Sequence, residues 1–205
     1  MFIALAAPLI ALASLPHPAL ERDIVAELNF ARQQPRAYAE RLRAYRGYFR
    51  GKIVHYPGRP EGLRTQEGTR AVDEAIAFLE KQVPVGALSP APLLARAADD
   101  HVVEQGPRGA TGHIASDGSN PRDRVRRRGG GIYVAETITY GPPSAVEVVR
   151  QLIIDDGVPT RGHRRTVYAD EMRFVGVKCG PHKVYRTMCV AEFARTATGH
   201  YSPAR

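Results

Sequence analysis

Cysteine is scarce in this chain: Cys179 and Cys189 are the only two in 205 residues. They form a single C-x₉-C with no second pair, which fits no zinc–cysteine pattern. Neither has an evident partner for a nucleophilic role, so both read as structural. There is no Gly-x-Ser-x-Gly elbow and no His-Glu-x-x-His pair. Gly129-Gly130-Gly131 is a flexible break and not a phosphate loop, because no Gly-Lys-Ser/Thr follows it. Long apolar runs are missing too. The uncharged stretch 2–13 is too short for an ordinary transmembrane helix, and no integral membrane segment is expected. These absences remove the usual signatures of α/β-hydrolases, zincins and P-loop enzymes.

Acid is the scarcer charge. Twenty-nine Lys and Arg face 21 Asp and Glu, for a formal net charge of +8. Such a balance favours acidic partners: nucleic acid, anionic envelope polymers or membrane headgroups. The alternative is that the charges lie on solvated faces. Length and composition suit one soluble globular domain. The stretch 2–13 matches the apolar region of a secretory signal, and Ala11-Leu12-Ala13 is an A-x-A cleavage site. Cleavage could also follow Ala19. No Lys or Arg precedes the run, so a buried first helix is the alternative. Residues 1–19 are thus expected to be a signal peptide, and the mature chain to be secreted or periplasmic. In an exported chain, two nearby cysteines suggest one disulfide.

Hydrophobic periodicity places the helices. Leu20, Ile24, Leu28 and Ala31 form one stripe over 20–33, and Pro35 opens a second helix with Tyr38, Leu42 and Tyr45 on one face. Residues 46–68 are rich in Gly, Pro, Arg and aromatics and read as a long connection. Arg between aromatics can stack on bases or sugars; packing of those aromatics on the domain is preferred. Val72, Ala75, Ile76 and Leu79 mark a helix over 69–82. Ser89-Pro90 reads as the N-cap and first turn of the next helix, with His101 on its buried face as a hydrogen-bonded core histidine. His113 then lies in a Gly/Ser-rich loop. The stretch 122–128 holds five arginines in seven residues and either grips phosphates or forms a solvated helical face; the solvated face is preferred. Ser144 to Glu147 reads as a capping box opening another helix. Two strands, about 173–179 and 184–193, end the domain. Their turn puts Cys179 and Cys189 opposite or two rungs apart, and a disulfide needs their Cα atoms within roughly 7 Å.

Two places carry charge that folding must account for. Ile132, Val134, Glu136, Ile138 and Tyr140 share one parity, so in a strand Glu136 points to the apolar side and needs a histidine, an arginine, a metal or backbone donors. Asp155-Asp156 ends the helix that begins near Ser144, where acids oppose the helix dipole. They are followed within seven residues by His163. Ser116-Asp117 beside His113 makes no triad on proximity alone.

These segments, in order, resemble the CAP superfamily of cysteine-rich secretory proteins, antigen 5 and plant pathogenesis-related proteins, in its bacterial form. The residues that carry the resemblance are Leu28-Asn29-Phe30-Ala31-Arg32, Leu88 to His101, Thr111-Gly112-His113, Ala135-Glu136-Thr137-Ile138, Arg161-Gly162-His163-Arg164, Phe174-Val175-Gly176-Val177 and Val190-Ala191-Glu192-Phe193-Ala194. The match covers 20–45 and 86–195, leaving about 46–85 as an inserted segment in a single domain over 20–199. The resemblance implies an α+β fold, a three-layer α-β-α sandwich with a central antiparallel sheet. It also implies a cleft tetrad of His113, Glu136, His163 and a second acid. Where the family has Glu, this chain offers Asp155, or else Asp156. Family members bind sterols, lipids, metals or other proteins, and no one activity defines them. A small lipid or protein ligand in the cleft is therefore the first expectation.

Two neutral imidazoles beside a carboxylate suit Zn²⁺. His113 and His163 would hold the ion while Glu136 and Asp155 orient them. A metal-free polar network is the alternative, and a zinc-dependent hydrolase using the same four groups is a second function. A third is a basic surface protein that binds an acidic polymer through 122–128.

Overall fold

The computed structural model describes residues 17–203. The expected signal segment lies outside the described residues except for its last three. α1 (Pro18–Gln33) and α2 (Pro35–Arg46) meet at Gln34 and bury the stripes their spacing predicts. Pro35 opens α2, where its missing N–H leaves no bond unmade.

The stretch after α2 is more than a connection. β1 (Phe49–Arg50), β2 (Ile53–Val54) and β3 (Leu63–Arg64) form a small antiparallel meander. Its aromatics fold back on α2: the Phe49 ring lies 5.2 Å from Tyr45, and Tyr56 lies 5.8 Å from it. Arg150 covers the Tyr45 ring at 4.1 Å, a cation–π contact within the molecule. α3 (Thr69–Lys81) follows.

Ser89-Pro90 does not open a helix. It forms the short strand β4 (Ser89–Pro90), paired in parallel with β6 (Phe174–His182). The Ser89 and Ala91 amides donate to the carbonyls of Arg173 and Val175, so the sheet claims this segment first. α4 (Pro92–Arg108) starts only after that, with Ala91 at its cap. α5 (Pro121–Arg127), β5 (Val134–Tyr140), α6 (Ala145–Ile154), α7 (Gly162–Tyr168) and β7 (Arg186–Ala194) complete the chain. The capping box forms at Asn120 and Asp123 of α5. At α6 only half of the expected one forms: Ser144 accepts from the Glu147 amide, while the Glu147 carboxylate turns to Arg59.

The main sheet runs β4-β6-β7-β5, antiparallel apart from the parallel β4 edge. It is the middle of three layers. α4 and α5 cover one face; α1, α6 and α7 cover the other. Gly176 permits the close seat of α4, since a Cβ there would fall 2.0 Å from the Ala95 nitrogen. The larger core joins Ile24, Leu28, Leu152, Val177 and Phe193. Under α4 the apolar packing is split in two, Leu94 and Val125 with Ala194, and Ala98 and Val102 with Val190. Cys179 stands directly opposite Cys189 and is joined to it by a disulfide, with Cα atoms 4.1 Å apart. Among the described residues no helix is long and apolar enough to cross a membrane.

Candidate functional site

Glu136 sits on β5 in the rung Gly176–Glu192–Glu136, on the α4 face, between the two apolar patches. Its side chain is almost wholly buried, as the strand parity predicts, and it finds two of the anticipated partners. His113 Nδ1 lies 2.7 Å from one carboxylate oxygen, and Arg124 donates to the other. Burial works to raise the Glu136 carboxyl, but the His113 hydrogen bond and the Arg124 charge outweigh it and hold the group below its ordinary range.

The His113 loop is fixed through its neighbour. Gly112, at φ +99°, accepts at its carbonyl from His101 Nε2 (2.9 Å) and Gln105 Nε2 (2.8 Å). Its amide donates to the Tyr140 hydroxyl at 2.9 Å, which in turn donates to Gln105. His101 is therefore the buried, hydrogen-bonded histidine expected, and burial lowers its pKa.

The second half of the site is built at the end of α6. Asp155 takes a left-handed conformation (φ 57°), which turns the chain and sends its carboxylate to the start of α7. One oxygen lies 2.6 Å from His163 Nδ1, and the other accepts from the His163 amide at 2.9 Å. An acid that opposes the dipole of its own helix thus serves the N-terminal amides of the next, where negative charge is favourable. Asp156 points elsewhere. It accepts the Gln66 and Glu67 amides and ties down the segment after the meander. Asp155, then, is the acid beside His163.

The two imidazoles face each other across an open cleft of about 630 Å³, with ring centres 6.4 Å apart. In a neutral ring, a proton on Nδ1 facing the carboxylate leaves Nε2 as the acceptor. Two rings sharing a tetrahedral ion at about 2.0–2.1 Å would have centres roughly 5 Å apart. Among the described residues no group of three or more His, Cys, Asp or Glu side chains is arranged to hold a metal. The two rings stand wider than such an ion-sharing pair, so these two nitrogens would share an ion only with outside ligands and a closer approach of the rings, not as a closed structural site.

Several residues of the site escape sequence reasoning. Arg124, one of five arginines in a run, is 1 % exposed and anchors Glu136. Glu192, opposite Glu136, is fully buried; burial first, and Glu136 second, push its carboxyl well above the usual range. Arg161, in a left-handed conformation, grips Glu67, Glu74 and the carbonyls of Asp155 and Val158. It braces the turn that delivers His163. The remaining arginines of 122–128 largely pair locally, Arg126 with Asp123, Arg127 with Asp117 and Arg128 with Asp100.

No curated protein sequence matches this chain. Among solved structures, the chain is similar to an extracellular protein containing a SCP domain from Bacillus anthracis str. Ames, at 19 % identity and a TM-score of 0.46, over 55 % of this chain and 35 % of that one. The chain therefore spans about a third of that protein. It is also similar to an outer surface protein of Borrelia burgdorferi, at 17 % identity and a TM-score of 0.45, over 59 % of this chain and 86 % of that one. The model of the cysteine-rich secretory protein family, CAP, matches residues 40–193, a span that holds both histidines and both carboxylates of the cleft, and the chain belongs to that family.

Proposed function

We propose that this is an exported CAP-domain protein, secreted or periplasmic, whose two-histidine cleft binds a ligand, metal or partner, with no established catalytic activity. The ligand expected is a small lipid or a protein segment, with Zn²⁺ as an exchangeable ion between His113 and His163. One observation carries this reading: each imidazole is locked through Nδ1 to a carboxylate whose side chain is only 1 % exposed. That preorganises two Nε2 acceptors toward the cleft. It also commits the acids. Glu136 accepts from His113 and Arg124, and Asp155 from the His163 ring and amide. The groups left facing the cleft are the two Nε2 atoms, which can take a ligand's donor or an ion and would also have to serve as the base if the zinc-dependent hydrolase were the function. If Zn²⁺ binds, the ion supplies Lewis acidity; the residues of this chain supply two nitrogens and hold them in place.

Calorimetric titration of metal-free protein with Zn²⁺, repeated on His113→Ala and His163→Ala, tests the metal. Binding lost in both variants supports it, and identical binding in all three removes it. Ester and peptide turnover measured in parallel tests the function. A zinc-dependent rate that disappears in His163→Ala would replace the binding function with the hydrolase.

A further inference from the structure

A second concavity of about 390 Å³ opens beside the histidine cleft, and Glu171 and Met172 line both. Besides Glu171 and Met172, its walls come from three separated parts of the chain: Arg122 at the start of α5, Ile132 and Tyr133 before β5, and Arg195 and Tyr201 after β7. The tail is stitched to the segment before β5. The Gly131 amide donates to Thr198 at 2.8 Å and the Tyr133 amide to Gly199 at 3.0 Å. Gly131 permits that approach, because a Cβ there would lie 2.2 Å from the Gly199 carbonyl oxygen. Arg195 and Tyr201 lie beyond residue 193, where the family match ends.

Its chemistry differs from that of the first cleft. The rings of Tyr133 and Tyr201 lie 5.2 Å apart and are 55 % and 68 % exposed, with Ile132 exposed beside them. Large apolar groups gathered in the open are a feature of binding surfaces. Two cations line the same concavity. Most surface arginines of this protein are paired with carboxylates, yet among the described residues neither Arg122 nor Arg195 meets one within 4.0 Å. Only Glu171, at the junction with the first cleft, brings negative charge to the lining. A guanidinium left without a partner beside an aromatic wall is suited to a carboxylate, sulfonate or phosphate.

We propose that this concavity is a binding site for a small organic anion with an apolar ring body, the rings of Tyr133 and Tyr201 taking the body and Arg122 and Arg195 the anionic group. The site adjoins the proposed ligand cleft at Glu171 and Met172 but draws on neither His113 nor His163.

The test uses 8-anilinonaphthalene-1-sulfonate as the anionic probe and N-phenyl-1-naphthylamine, a similar ring body without the charge, as its neutral counterpart. Both are titrated by fluorescence into the full folded chain. The anionic probe is expected to bind more tightly than the neutral one. The double variant Arg122→Gln/Arg195→Gln should weaken it about tenfold, with little change for the neutral probe. Neither arginine has a partner to lose, so the fold should survive, as far-UV circular dichroism will show. Tyr201→Ala should weaken both probes, and His113→Ala neither. Equal affinity for the two probes, an unchanged affinity in the double arginine variant, or loss of binding in His113→Ala would each overturn the proposal.

Discussion

Glu136 stands directly opposite Glu192 in the register of β5 and β7, and both side chains are shut away from solvent. Arg124 lies against the first and 3.9 Å from the second. One guanidinium cannot balance two buried carboxylates, so Glu192 keeps its proton. A carboxyl raised in the folded state binds a proton that the unfolded chain gives up above its ordinary pKa of 4.5. Stability is then greatest below that value and falls as pH rises above it. Glu192→Gln copies the neutral group and removes this dependence. Its urea midpoint should exceed that of the parent chain at pH 7 to 9, and the two should converge near pH 4.

Arg124 carries the opposite expectation. Arg124→Leu would remove the guanidinium from buried Glu136, leaving it His113 and the neutral Glu192 carboxyl. Breaking a buried pair on one side costs about 3–5 kcal/mol. Arg126→Gln, which loses only an exposed pair, should change stability by less than about 0.5 kcal/mol. Denaturant unfolding of the two variants side by side distinguishes an anchoring role from a solvated face.

The two adjacent acids should separate cleanly. Asn tolerates the left-handed conformation of Asp155, so Asp155→Asn keeps the turn while weakening the hold on His163. A Zn²⁺ affinity lower by about 10–100-fold is expected, as for other partners of a metal-ligating histidine. Asp156→Asn should leave that affinity alone. It should instead speed hydrogen exchange at the Gln66 and Glu67 amides, which Asp156 accepts.

Acid stability should report the brace behind His163. The hydrogen bond from Arg161 lowers Glu67 from 4.5 to about 2. A depressed carboxyl contributes stability that is present above pH 4.5 and lost as pH falls toward 2. Glu67→Gln should therefore unfold with a shallower pH dependence across that window, measured as urea midpoints at successive pH values.

Reduction of the disulfide is expected to destabilise the β6–β7 hairpin. The cysteines are 10 residues apart in sequence, and a crosslink closing a loop of that size is worth about 2–3 kcal/mol in the chain-entropy account. Cys179→Ala/Cys189→Ala should lower the melting temperature without moving the cleft, which the titrations with Zn²⁺ would confirm.

The helices and the order of the cleft residues were legible because their signals are local. Apolar stripes at 3.6 spacing place α1, α2 and α3, and strand parity alone demands a partner for Glu136. What could not be read depends on distant docking. Ser89-Pro90 has the chemistry of a helix start, and only the approach of β6 turns it into a strand. Arg124 is one arginine among five until α5 settles against β5 and buries it. Asp155 and Asp156 are interchangeable on paper; a left-handed turn at the first separates their roles. The rings after α2 pack on the domain as expected, but that their segment pairs into a meander is not foretold by any composition of glycine and proline.

The two histidines hang from opposite helical layers. His113 is carried by the loop between α4 and α5 and pinned through Gly112 to α4 and β5. His163 rides on α7, which packs on α6, and is braced through Arg161 to Glu67 and Glu74. The sheet lies between these two mountings, so the gap between the rings measures how the outer layers are seated on it. A change buried in either core, touching nothing in the cleft, is therefore able to widen or narrow the jaws. Under the proposed binding function, selectivity would drift through substitutions far from any ligand.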